Sequence, residues 1–214
     1  METTFATELT AERAQADERL GLVAYAGGVV GIVGIVTLGL MFAIEVPRGG
    51  PFVFGSTNDI AGAVFSALFI PLVVRLRRSP RSRPFDRLTN VTIAASIAGI
   101  VLPLMLVAGL IPFERQVFMV VAVFEVQSLW LFVAGRRLRR VAGFPTRVAR
   151  FTAGVGATMI AGTAIAGAGF LLPSGSVPQI AVIGTGAILG AAGWIGWPLW
   201  YFAVGRALRR GLPR

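Results

Sequence analysis

Glu125 lies deep inside a long apolar stretch, where it is the only ionisable side chain. A charge at the centre of a bilayer costs about 2.5–3.5 kcal/mol on insertion scales, so such a group must be neutral, paired or in contact with water. On a helix, Ser128 shares the face of Glu125, whereas Gln127 points elsewhere. Glu125 and Ser128 therefore form the candidate intramembrane polar site, with Glu125 a candidate proton carrier. The alternative is structural: a neutral Glu125 that bonds a hydroxyl or a backbone carbonyl of a neighbouring helix.

The sequence lacks three residue types on which many enzyme mechanisms depend, because it contains no Cys, no His and no Lys. Thiolate and disulfide chemistry need Cys, and the commonest general base and metal ligand is His. A Schiff base needs Lys. Magnesium-dependent lipid transfer needs clustered acids, and the sequence has no such cluster. We therefore expect no catalytic residue, no cofactor and no metal site, and we expect that the protein is not an enzyme.

Asn58 and Asp59, which follow the longest connection on the side opposite the arginine clusters, are a weaker candidate site. Ser56 or Asn58 is a favourable capping residue for the start of a helix, and an acid such as Asp59 suits the positive end of the helix dipole. The capping interpretation is favoured over a substrate site.

The elements that must position these residues are long apolar segments. Of 214 residues, 55% are hydrophobic and only 14% are charged, too few to cover a water-soluble domain. A membrane-spanning helix needs about 20 apolar residues. The sequence thus predicts an all-α, polytopic membrane protein, with six transmembrane helices in residues 20–205. The acidic segment 1–19 is expected to be a short interfacial helix or disordered, and 206–214 to be a basic tail. The predicted helices lie near 20–45, 57–76, 88–111, 114–135, 150–172 and 178–205.

Arginine is concentrated on one side of these segments. Eighteen of the twenty arginines flank one set of helix ends, and only Arg48 and Arg115 flank the other. Basic residues near helix ends stay in the cytoplasm, so both termini are predicted to be cytoplasmic in a cell membrane. The exclusive use of Arg for positive charge indicates a GC-rich genome, and we expect a prokaryotic one.

The net charge of +10 would favour a nucleic-acid partner in a soluble protein. Here the topology rule accounts for the charge, so no nucleic-acid partner is expected. Basic residues near a membrane surface attract anionic lipid by about 1 kcal/mol each, so the lipid bilayer is the expected partner. The arginines expected to contact lipid headgroups are Arg77, Arg78, Arg136, Arg137, Arg139, Arg140, Arg209 and Arg210.

Small residues at four-residue spacing on the first, fifth and sixth segments predict close helix packing. They include Gly27 and Gly31, then Gly154 and Gly162, then Gly186 with Gly190. The alternative is that these stripes bind a second copy of the chain or a partner membrane subunit. Repeated Leu-Arg-Arg strings after even segments suggest three helical hairpins in series, although the positive-inside rule alone also produces this pattern.

Trp200 and Tyr201, near the end of the sixth segment, are expected in a cytoplasmic interfacial belt, with Trp194 deeper. Two functions remain open. The first is a small transport or permeation protein with Glu125 near its path. The second is a non-catalytic subunit or scaffold that binds lipid or a partner membrane protein. In chain length, helix number and short outer loops, the chain resembles the substrate-binding subunits of vitamin importers, which implies the second function.

Overall fold

The computed structural model describes residues 2–77 and 82–211, and the regular secondary structure of these residues is entirely helical. Six helices are long and apolar enough to cross a membrane, as predicted, so the protein has the architecture of a multi-pass membrane protein. Most observed ends differ from the predicted ones by a few residues, and several helices continue into the arginine clusters. The first helix is the exception, because it already begins at Glu2 rather than near residue 20. The helices are α1 (Glu2–Leu40), α2 (Val46–Arg48), α3 (Val53–Leu76), α4 (Arg83–Val107), α5 (Phe113–Leu138), α6 (Thr146–Gly169) and α7 (Val177–Arg209), with a π-helical turn at Met41–Glu45 between α1 and α2.

The six spanning helices form a closed ring. α1 packs against α3, α3 against α4, and so on to α7, which packs back against α1. Neighbours around the ring run antiparallel, because consecutive spans alternate in direction and their number is even. In this ring, helices of the same predicted hairpin are in contact, and so are neighbouring helices of different hairpins. The contacts therefore do not single out three hairpins, and that arrangement stays a prediction.

The helix termini that carry the arginine clusters all lie at one end of the ring, which we call the arginine end. Arg75 of α3 pairs there with Asp17 of α1. The Arg209 guanidinium of α7 lies 5.9 Å from the ring centroid of Tyr25, also on α1. The early part of α1 and the late part of α7 therefore lie at the same end. We call the opposite end, where α3, α5 and α7 begin, the distal end.

The acidic N-terminal segment continues the first spanning helix, because α1 is unbroken from Glu2 to Leu40. Asp17 in this segment is only 9% exposed, since it lies against α3. At the other end of the chain, α7 extends to Arg209, so the first part of the predicted basic tail is helical.

Glycines allow α6 and α7 to pack backbone against backbone. A Cβ atom added at Gly162 would collide with the backbone of Gly190, and one at Gly186 would collide with that of Ala166. On α1, the absence of a side chain at Gly27 makes room for the Tyr201 ring of α7. Gly162 and Gly186 thus pack within the chain, as the sequence predicts, whereas a Cβ atom added at Gly154 of α6 would meet no neighbour within 4 Å.

Aromatic side chains fill the ring interior between mid-depth and the arginine end. Phe69 is fully buried, with its ring 5.6 Å from both the Trp130 and Trp200 rings, measured between centroids. The Tyr201 hydroxyl donates a hydrogen bond of 2.8 Å to the Phe65 carbonyl oxygen. The prediction of an interfacial belt is therefore wrong for Trp200 and Tyr201, which are both 0% exposed. The face of α7 that carries them points into the ring rather than toward the bilayer surface.

Candidate functional site

A cleft opens between α1, α3, α5 and α7, in the distal part of the ring and at mid-depth, with a cavity volume of about 40 Å³. Its wall is mainly apolar, and Asn58 of α3 contributes a polar amide. Glycine at positions 34 and 62 leaves space on α1 and α3, because neither carries a side chain. The lining residues are Val30, Gly31, Gly34, Ile35, Leu38, Asn58, Ala61, Gly62, Phe65, Phe124, Trp194, Trp197 and Pro198.

The floor of the cleft is aromatic. The Trp197 ring lies 5.6 Å from the Phe65 ring and 5.7 Å from the Phe124 ring, between centroids. Phe124 also contacts Trp194, at 4.6 Å. Three helices thus bring aromatic rings together at mid-depth, and these rings separate the cleft from the interior on the arginine side.

Beside this floor, α4 turns a row of buried hydroxyls toward the ring interior. Thr89, Thr92 and Ser96 are each 0% exposed, and each hydroxyl donates a 2.8 Å hydrogen bond to a carbonyl one turn earlier in α4. Gln127 Nε2 donates to Ser96 Oγ at 3.0 Å, and Trp130 Nε1 donates to Thr89 Oγ1 at 3.1 Å. These bonds link α4 to α5 through polar side chains, inside an otherwise apolar bundle.

Four buried polar atoms have no hydrogen-bond partner among the described residues: Ser66 Oγ, Gln127 Oε1, Ser128 Oγ and Trp197 Nε1. A buried donor or acceptor that is left without a partner costs about 1–3 kcal/mol. Native structures keep few such groups, and each one calls for an explanation, such as a bound molecule or a functional role. Of these four residues, Trp197 lines the cleft and the other three do not.

Glu125 is partly buried and forms no hydrogen bond or ion pair with any described residue. It is absent from the lining of the cleft, to which its neighbour Phe124 contributes instead. Ser128 is fully buried, and its backbone carbonyl lies against Gly156 of α6. The site predicted at Glu125 and Ser128 therefore stays a prediction, and it lies beside the cleft rather than within it.

The N-terminus of α3 is capped by a residue that the sequence analysis did not select. Glu45 is 5% exposed, and its carboxylate accepts hydrogen bonds from the backbone N–H groups of Phe54 at 2.8 Å and Gly55 at 3.1 Å. The prediction that Ser56 or Asn58 caps this helix is wrong, because α3 already begins at Val53. The π-helical turn that ends in Glu45 carries its carboxylate across the loop to these amides.

Asn58 and Asp59 lie inside the second turn of α3 rather than at its cap. Asn58 lines the cleft, with its Oδ1 3.6 Å from where a Cβ atom of Gly34 would lie. Asp59 is partly buried and is not a lining residue. Of this predicted pair, the structure brings Asn58 alone to the cleft.

The arginines predicted to contact lipid divide into two groups. Arg77 bonds Asp86 at 2.8 Å and Asn90 at 3.0 Å, and the Arg137 guanidinium lies 4.8 Å from the centroid of the Phe85 ring. Arg78 lies outside the described residues. The remaining members are exposed at the arginine end, namely Arg136, Arg139, Arg140, Arg209 and Arg210.

Comparisons of the chain with protein-family models, with curated proteins and with solved structures give no match. The cleft, its aromatic floor and the polar groups beside that floor are therefore the features from which a function can be inferred.

Proposed function

We propose that this chain is a small transport or permeation protein, and that its solute moves along the axis of the helix ring. The observation that carries the proposal is the cleft, whose lining includes the amide of Asn58 and the buried indole of Trp197, an N–H group with no acceptor among the described residues. Helices in lipid are held together by close packing and by hydrogen bonds between helices, so a buried polar group that makes no such bond does not contribute to assembly. The aromatic floor of Phe65, Phe124 and Trp197 is then the barrier of a closed state.

We place the arginine end in the cytoplasm, since loops rich in arginine stay on that side of a membrane. Both termini are then cytoplasmic, and the cleft opens to the outside of a prokaryotic cell membrane. The exposed arginines hold anionic lipid headgroups at the inner surface. The proposal needs no catalytic residue, cofactor or metal.

Single cysteines test this orientation, because the natural chain contains none. Ser174 lies in the exposed turn between α6 and α7, and Ala142 is exposed between α5 and α6. A membrane-impermeant maleimide applied to intact cells should label Ser174→Cys and not Ala142→Cys, with both labelled after permeabilisation. The reverse pattern would contradict the orientation.

The permeation proposal is tested with proteoliposomes, by light scattering after a stopped-flow osmotic shock with water, urea or glycerol. Gly34→Leu places a side chain in the cleft, and its Cβ atom would lie at ordinary contact distance, 3.6 Å, from side-chain atoms of Ala61 and Asn58. Gly39→Leu is the matched control on α1, since a Cβ atom there has no neighbour within 4 Å and Gly39 does not line the cleft. We expect Gly34→Leu to slow flux of the permeant solute by about tenfold, an added barrier of about 1.4 kcal/mol, and Gly39→Leu to leave it unchanged. Equal flux in both variants, or no flux above that of empty vesicles, would contradict the proposal.

A second candidate function is a non-catalytic subunit or scaffold that binds a second copy or a partner membrane protein. The observation in its favour is Gly154 on α6, where an added Cβ atom would meet no atom of the chain within 4 Å. Thr158, one turn later, is only partly buried, so this part of the small-residue stripe remains uncovered. Light scattering of the protein purified in mild detergent separates the two functions. A lone monomer counts against the subunit, and a defined complex supports it.

A further inference from the structure

We propose that the helix ring opens sideways between α1 and α7, in its distal half, and that the acyl chain of a bilayer lipid enters the cleft through this opening. The proposal goes beyond solute permeation and does not depend on it. A chain and a solute cannot occupy the cleft together, so a bound lipid holds the proposed path closed.

The contact between α1 and α7 stops at mid-depth. Toward the arginine end the two helices touch, because a Cβ atom added at Gly28 would lie 2.7 Å from the Phe202 ring. One added at Gly31 would lie 2.7 Å from Pro198 Cγ. Gly39 follows Gly28 by about three turns and therefore shares its face, yet a Cβ atom added there would meet no atom within 4 Å.

Exposed side chains mark the two edges of the opening. On α7, Ile195 and Ile188 precede Phe202 by about two and four turns, so they continue the face that contacts α1. They are 54% and 74% exposed, respectively. On α1, Ile32 follows Gly28 by about one turn and is 43% exposed. Distal to this contact, each helix therefore leaves the facing edge of the other uncovered.

The cleft lies where the opening begins. Gly31 and Pro198, which form the most distal of these contacts, both line the cleft. Its lining continues toward the distal end with Ile35 and Leu38 on α1, and Trp194 lines it on the α7 side. A molecule beside the bundle can therefore reach the cleft between α1 and α7. In a protein with six spanning helices, the medium at this depth is the acyl-chain region of the bilayer.

The composition of the wall selects a hydrocarbon chain. None of the lining residues is charged, and apart from the Asn58 amide and two indole N–H groups their side chains are aliphatic or aromatic. Walls of this kind hold water poorly, because a buried water needs about two to four polar partners. An empty gap would deprive its walls of van der Waals contacts. An acyl chain restores those contacts and needs no hydrogen bond.

The size of the cleft favours a single chain over a helix of another protein. A helix with its side chains is about 10–12 Å across, whereas the cavity volume of the cleft is only about 40 Å³. The occupant is therefore the end of one acyl chain. Because the opening runs from mid-depth toward the distal end, this chain belongs to a lipid of the distal leaflet.

Tryptophan fluorescence in bilayers of brominated phosphatidylcholine tests the site, because bromine on an acyl chain quenches an indole that it contacts. Trp194→Phe first removes the exposed indole at the opening. The remaining tryptophans, Trp130, Trp197 and Trp200, are each 0% exposed, and of these only Trp197 lines the cleft. We expect residual quenching in this variant, strongest with bromine near the chain end. Trp197→Phe in the same background should abolish it.

Gly34→Leu, combined with Trp194→Phe, places a side chain where the acyl chain would lie and should remove most of the residual quenching. Gly154→Leu is the matched control, because a Cβ atom at Gly154 meets no neighbour within 4 Å and Gly154 does not line the cleft. It should leave the residual quenching unchanged. No residual quenching, or residual quenching that survives Trp197→Phe or Gly34→Leu in a folded protein, would overturn the lipid site. Absence of quenching in a chain that light scattering shows to be a dimer would overturn it in favour of a second copy over the opening.

Solute flux is a separate readout. Residual quenching without flux into proteoliposomes would overturn the permeation proposal and support the lipid site. Flux without residual quenching would overturn the lipid site alone.

Discussion

Asp17 and Arg75 form a two-bond ion pair that ties α1 to α3, with Nε–Oδ1 at 2.6 Å and Nη2–Oδ2 at 2.7 Å. Both side chains are mostly buried, at 13% and 24% exposed respectively. We expect Asp17→Asn to lower the free energy of unfolding by about 1.5–3 kcal/mol, because it weakens charge-assisted hydrogen bonds at a site that is largely shielded from water. The measurement is circular dichroism during unfolding in mixed micelles of dodecyl sulfate and a mild detergent.

The second ion pair of the arginine end is the control for this prediction. Arg77 and Asp86 are more exposed, at 37% and 27%. Asp86→Asn should therefore cost at most about 1 kcal/mol, because solvent screens exposed pairs. Equal losses in the two variants would show that burial does not set the strength of these pairs.

Glu45 should matter to the stability of α3 more than any residue inside that helix's first turn. Glu45→Ala leaves two amide groups without their carboxylate, and we expect a loss of about 1–2 kcal/mol. Glu45→Gln should lose less, since its amide oxygen still accepts one bond. Hydrogen exchange at the Phe54 and Gly55 amides should accelerate in step with the loss of stability. Ser56→Ala is the control and should change little, because Ser56 Oγ bonds only the carbonyl of Phe52, one turn earlier in the chain.

A methyl group added in the α6–α7 contact should lower the free energy of unfolding far more than one added on the uncovered face of α6. Gly162→Ala forces the two backbones apart, and overpacking of this kind costs about 1–3 kcal/mol. Gly154→Ala meets no neighbour within 4 Å, so it should be neutral or slightly stabilising. The unfolding free energies of the two variants check this. If Gly154→Ala were the more damaging change, α6 would have to pack through its other face.

The buried position of Trp200 can be measured with brominated phospholipids, which quench tryptophans that face the acyl chains. Trp194 is 38% exposed and Trp200 is 0% exposed. Trp194→Phe should therefore remove most of the quenchable fluorescence, and Trp200→Phe should remove little. Trp200→Phe should also lower the stability by about 0.5–1.5 kcal/mol, because its indole bonds Thr152 at 2.8 Å. A strong loss of quenching in Trp200→Phe would show that Trp200 faces lipid, in agreement with an interfacial belt.

Glu125→Gln tests whether the intramembrane acid takes part in the proposed permeation. Glu125 has no partner among the described residues and does not line the cleft, so we expect a change in stability below about 0.5 kcal/mol. Solute flux should stay within about twofold of the natural chain, with or without a pH gradient. A folded Glu125→Gln protein that has lost flux driven by a pH gradient would return Glu125 to the path as its proton carrier.

The spans could be predicted from the sequence because length and apolar composition alone decide whether a helix crosses a bilayer. The packing role of Gly162 and Gly186 was also predictable, since close approach of helices in lipid needs small residues. Which face of α7 points into the ring could not be predicted, because lipid and the ring interior are equally apolar. Nothing in the types of Trp200 and Tyr201 says which of the two they face.

The site was harder to predict for a related reason. Glu45 closes an apolar run and caps a helix across a loop, so local spacing does not connect it with Phe54. Asn58 had the pattern of a cap, and its position in the cleft depends on the ring closing around it. One signal was present in the sequence, because Thr89, Thr92 and Ser96 follow a helical period and mark the inner face of α4.

The contact between α1 and α7 has a consequence for biosynthesis. These are the first and the last of the six helices to leave the ribosome, and synthesis at about 5–20 residues per second separates their arrival in the membrane by many seconds. Until α7 inserts, Gly27 and Gly31 have no Tyr201 or Pro198 to cover them. Until then the nascent bundle is an open horseshoe, and its inner wall, including the hydroxyls of α4, faces lipid or the insertion machinery. Its assembly therefore finishes in a single late event, when the last helix closes the gap.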